Sequence, residues 1–145
     1  MIIAVDFDGT IVTHEYPKIG KEIPFAIATL KKIQTEFPHR LVLWTVREGE
    51  YLEEAVEFCK KRGLEFYAVN ANYPEEKPQY NEPRKLKADL FIDDRNLGGL
   101  PDWGVIYHMI KSKKYSDFDA LFKHYSGRDS QQSTKKEGFF KRFFR

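Results

Sequence analysis

Ile2-Ile3-Ala4-Val5-Asp6-Phe7-Asp8-Gly9-Thr10 is the stretch from which the fold is read. Four apolar residues, two of them isoleucine and one valine, read as a strand buried on both faces rather than a half-exposed one. The strand then runs into two aspartates separated by an aromatic and followed by a Gly-Thr turn. Residues two apart on an extended backbone point to the same side, so Asp6 and Asp8 stand together at the strand's end. Carboxylates held that close repel each other unless a cation or a shared proton intervenes. A plain Asp-rich turn, with Gly9 at positive φ, explains the turn but not the crowding.

Working outward, 145 residues with 41% apolar content have room for one proper core. The expected division is one catalytic-type globular domain over 1–126 and a polar linker with a basic-aromatic tail over 127–145. No apolar run approaches bilayer length, and no signal peptide is expected. Cys59, the single cysteine, excludes an intramolecular disulfide and fits a reducing, cytoplasmic compartment. Of the 24 basic and 22 acidic residues, six basic and two acidic fall in Gly127–Arg145, leaving 1–126 at a net −2. Charge therefore gives no support to nucleic-acid binding by the core.

Along the chain, Ile11–Lys21 carries a Pro and a Gly and reads as a loop or short flap. A helix is expected over Glu22–Phe37, with Ile23, Ile27, Leu30 and Ile33 at helical spacing and Pro38 as its stop. Leu41–Trp44 reads as a second buried strand ending on Thr45. Glu48–Arg62 reads as a helix closed by Gly63. Further strands are expected at Glu65–Val69, at Ala88–Ile92 and near Gly104–His108, and a last helix at Asp117–Tyr125. The alternation predicts an α/β fold: a three-layer Rossmann-like sandwich with a mainly parallel sheet of about five strands. Asp6, Thr45 and Asp93 each follow a strand, so they should meet at the carboxyl rim of the sheet.

Four groups of residues in this order give the chain a family resemblance. Asp6-Phe7-Asp8-Gly9-Thr10 resembles the DxDGT signature of the haloacid dehalogenase-like (HAD) superfamily. Thr45, with Arg47 in Trp-Thr-x-Arg, resembles its second motif, Lys85-Leu86-Lys87-Ala88-Asp89 its lysine motif, and Asp93-Asp94 its acidic motif. The resemblance covers Ile2–Asp94. It implies a Mg²⁺-dependent phosphatase in which Asp6 becomes an aspartyl-phosphate and Asp8 is the general acid and base. It implies that Thr45 hydrogen-bonds a phosphoryl oxygen and that a lysine, Lys85 or Lys87, with the family's spacing favouring Lys85, stabilises the charge. Asp6, a backbone carbonyl of Asp8 and an acid of the Asp93-Asp94 pair would hold the metal. Asp93 is favoured as the direct ligand, with Asp94 in the outer shell or orienting a metal-bound water. Arg47 reads as a phosphate or substrate contact, because arginine favours bidentate anion recognition, or else as a surface partner of Glu50.

No Cys/His cluster has zinc spacing, no loop reads as a P-loop, and the four histidines are scattered without an acidic partner. The spacings leave no room for a cap domain. An open site suits a large phosphorylated substrate or cover by another subunit of a homo-oligomer. The Asn70–Arg84 loop, with Asn70, Asn72, Tyr73 and Tyr80, is the internal candidate for specificity or else a solvated loop. Gly138–Arg145 interleaves four phenylalanines with three cations, suiting weak membrane or protein contact, against a frayed or self-packed terminus. The rival to an enzyme is a binding or scaffold module that keeps the fold and uses the tail.

Overall fold

The computed structural model describes residues 1–77 and 84–115. The elements are β1 (Ile2–Val5), α1 (Ala26–Glu36), β2 (Arg40–Leu43), α2 (Gly49–Lys60), β3 (Ala68–Val69), β4 (Leu90–Ile92) and α3 (Trp103–Ser112). The fold is α/β, and the described strands form one parallel sheet in the order β3-β2-β1-β4. The register sets Ala4 against Val42 and Phe91, and Val5 against Leu43 and Ile92. Two compact units divide the chain, Met1–Gly104 and Val105–Arg145, and the sheet lies wholly in the first. The expected boundary at 126/127, the expected helix at Asp117–Tyr125, the basic-aromatic tail and Tyr80 lie outside the described residues.

A central position explains the unbroken apolar run of β1. Ala4 joins Val42, Ala68 and Leu86 in a cluster on one face, with Ile2, Trp44, Tyr67 and Phe91 packed against it. Ile3, Val5, Leu41 and Leu43 alternate to the other face and are equally buried. Each such side chain contributes about 1.5–3 kcal/mol by leaving water. α1 buries Ala26, Ile27, Leu30 and Ile33 and packs against β2. α2 buries Ala55 and Cys59, and its Phe58 meets Phe7 edge to face at 5.9 Å.

Three expected elements differ. Gly104–His108 is not a strand but the start of α3. Strand alternation would place His108 on the same face as Ile106, yet His108 is exposed, and Trp103, Ile106 and Ile110 are buried at helical spacing. Asp102 Oδ1 accepts the Gly104 N–H at 2.8 Å, a helix-start signal that the turn-rich Gly98–Pro101 stretch obscured. α1 begins four residues later than expected, because Ile23 N–H donates to Ile11 O and Glu22 bridges Val12. β3 shrinks to Ala68–Val69, although Tyr67 and Asn70 N–H groups extend its bonding to β2. Among the described residues no helix is long and apolar enough to cross a membrane.

Candidate active site

Chain order reverses at the β1–β4 pair: β1, β2 and β3 step outward on one side, and β4 returns to the other. In parallel α/β sheets such a reversal opens a crevice beyond the strands' carboxyl ends. Both strands end there on acids. Asp6 N–H donates to Ile92 O at 3.0 Å, which seats Asp6 directly beside Asp93 and Asp94 at the end of β4. One carboxylate oxygen from each of Asp6, Asp93 and Asp94 lies within 4.8 Å of the others.

Thr10, fully buried, ties the cluster together. Its hydroxyl donates to Asp6 Oδ2 at 3.2 Å and accepts the Asp94 N–H at 3.1 Å. Gly9 sits at φ +87, and a Cβ there would strike the Asp94 carboxylate, so this turn demands glycine on two counts. Asp93 Oδ1 accepts the Arg95 N–H at 2.8 Å, which shapes the loop after β4. Burial pushes the Asp6 carboxyl from 3.8 up to about 7, the Phe7 N–H and Thr10 lower it, and the charges of Asp93 and Asp94 raise it further. Among the described residues, none donates a hydrogen bond to the buried Asp94 Oδ1. Three oxygen donors, one of them orphaned and another short of counter-charge, suit a hard cation.

Asp8 turns away from this triad. Both its oxygens accept from Arg47, Nε to Oδ2 at 2.6 Å and a terminal nitrogen to Oδ1 at 2.7 Å. The pair is buried, Arg47 at 0% exposure and Asp8 at 5%. The buried pair differs from the surface partnership with Glu50 that is the alternative reading of Arg47.

Thr45 leaves β2 at the same edge as Asp6, since Trp44 N–H donates to Val5 O. Its hydroxyl accepts the Arg47 N–H at 3.2 Å, and its own N–H donates to Asn70 Oδ1 at 2.8 Å. Asn70 also donates to Arg47 O at 3.4 Å, so it spans the Thr45–Arg47 turn from the end of β3. Exposed Lys85 places its Nζ 5.6 Å from the Phe91 ring centre. Among the described residues no salt bridge or hydrogen bond joins it to Asp6. Lys87 N–H donates to Asn72 Oδ1, and its charge faces Glu76.

The structure thus gathers Asp6, Asp93 and Asp94, sets Asp8 against Arg47, and leaves both lysines outside the carboxylate cluster. Sequence reading missed Thr10 as a strut, although it stands in the Asp-Gly-Thr turn, and missed Asn70 as the brace of the Thr45 turn. An asparagine just past a strand, at φ 49, was the available signal for the second.

Fold and site together define a parallel α/β protein with a carboxylate triad, able to hold a cation, at the reversal point of its sheet. A solved structure of a conserved protein from Bacteroides thetaiotaomicron is 69% identical, covering 78% of this chain and 91% of that one at a TM-score of 0.73. The chain belongs to the family of that conserved protein. No family model matches it, and no curated protein does.

Proposed function

We propose that the protein is a HAD-type, Mg²⁺-dependent phosphomonoesterase of the small, capless kind, with Asp6 as nucleophile. The observation that carries this reading is the triad itself: a nucleophile candidate at the end of β1 facing two acids from β4, with Thr10 bonded to both sides. Asp6, Asp93 and Asp94 would hold Mg²⁺, whose charge supplies the screening that anionic reactants need.

An Asp6 oxygen attacks phosphorus, and the bond from phosphorus to the leaving oxygen breaks as Asp8 delivers a proton to that oxygen. Asp8 then takes a proton from water, whose oxygen attacks the aspartyl-phosphate. Inorganic phosphate leaves and the Asp6 carboxylate is restored. A carboxylate has about four lone-pair sites, so accepting twice from Arg47 leaves Asp8 capacity for this proton. Thr45, at the same rim, offers a hydroxyl to a phosphoryl oxygen, and Lys85 or Lys87 would supply positive charge.

With an aryl phosphate and Mg²⁺, Asp6→Asn is expected to reduce kcat by a factor on the order of a thousand or more, and chelation to abolish turnover. Near wild-type rates in Asp6→Asn would refute the mechanism. Metal binding without turnover of any phosphomonoester in a broad panel would leave a binding module instead.

A further inference from the structure

Arg47 is the largest fully buried side chain among the described residues. All five of its N–H donors are engaged: two on the Asp8 carboxylate, and the others on the carbonyls of Pro17 at 2.9 Å, Lys18 at 2.8 Å and Tyr51 at 3.5 Å. Its guanidinium lies between the rings of Phe7 and Tyr16, 5.1 Å from each centre, and Tyr16 meets Tyr51 edge to face at 5.8 Å. Desolvating two opposite charges costs several kcal/mol, and apolar residues of similar volume often fill such a space as stably or more so. Packing alone therefore does not account for the ion pair. A planar fork can fix a carboxylate's orientation and grip loop carbonyls at the same time, which a lysine cannot.

We infer that Arg47 is a positioning residue: it fixes the direction of the Asp8 carboxylate and makes that direction depend on the seating of the Tyr16–Lys18 loop. The inference rests on the phosphatase reading, in which Asp8 moves the proton. It assigns Arg47 no contact with phosphate. Without the seated loop, the guanidinium would lose two carbonyl acceptors and the Tyr16 ring, and Asp8 would lose its fixed direction. The loop is thus coupled to proton transfer rather than to substrate affinity.

Kinetics separate the two roles. In Arg47→Lys, assayed as full-length protein with Mg²⁺ and an aryl phosphate, kcat is expected to fall about tenfold or more while KM stays within about threefold. A raised KM at unchanged kcat marks a direct phosphate contact and overturns the inference, as does an unchanged kcat. Loop coupling has its own readout in amide hydrogen exchange at Thr13 and Lys21, which bond to Lys21 O and Thr13 Oγ1 across the base of the loop. Asp8→Asn weakens the grip on Arg47, so those amides should exchange about tenfold faster, and Asp6→Asn should leave them unchanged. Wild-type rates in Asp8→Asn reject the coupling, and they do so even if Arg47→Lys fails to fold. Wild-type protein without turnover rejects the phosphatase reading and the kinetic role together, while the exchange result still decides the coupling.

Discussion

Asp6 is held where its charge is costly. In the unfolded chain its proton leaves near 3.8, but in the fold burial and the neighbouring acids keep it until about 7. Between those values the folded state binds more protons than the unfolded one, so stability falls as pH rises through that window. The shift corresponds to a penalty on the order of 4 kcal/mol for the metal-free protein above pH 7. Asp6→Asn should therefore raise Tm in chelator at pH 8, by about 5 °C or more, and the gain should shrink as pH falls toward 4. Thermal melts followed by circular dichroism at pH 8, 6 and 4 test this; a gain independent of pH would assign the effect to something other than the Asp6 charge. The crowding of Asp6 and its need for a counter-charge were legible from two aspartates after an apolar run. Arg47 was not. Its partner Asp8 is 39 residues away, and a sequence offers a visible local partner, Glu50, more readily than a distant buried one.

Elements show the same division between local and remote causes. β1, β2 and the helical spacing of α2 follow from apolar runs and periodicity that belong to the segment itself. α3 was misread because Val105-Ile106-Tyr107 favours a strand locally, whereas the Asp102 cap and the spacing of Trp103, Ile106 and Ile110 favour a helix. The turn after β2 is likewise set from outside, by Asn70 at the end of β3. Asn70→Ala removes both bonds and places an alanine at positive φ, so a loss of about 1–3 kcal/mol is expected in urea denaturation. Asn70→Gly keeps the backbone freedom and should lose less. Equal losses would mean that the hydrogen bonds alone matter.

At the scale of the whole molecule, the order of the described strands places the triad across the joint where chain order reverses. A cation bound there links two strands that are not consecutive, so it should stabilise the fold by mass action, about 2.7 kcal/mol at a free concentration 100 times Kd. Differential scanning fluorimetry with increasing Mg²⁺ should show a rising Tm, and Asp94→Asn should flatten the response. A Tm indifferent to Mg²⁺ in the wild-type chain would count against metal binding at the triad. Parallel order and the rim position of Asp6, Thr45 and Asp93 could be read from alternating strands and helices, whereas the strand expected near Gly104–His108 is the start of α3.

The distance between the halves of the site also orders its birth on the ribosome. Arg47 follows Asp8 by 39 residues, whereas Asp94 follows its hydroxyl partner Thr10 by 84. At synthesis rates of about 5–20 residues per second, the guanidinium leaves the tunnel a few seconds before the last acid does. Asp8 can be locked early, while Asp6 waits for the second pair of carboxylates. A chain that ends short of Asp93 lacks two of the three carboxylates of the triad.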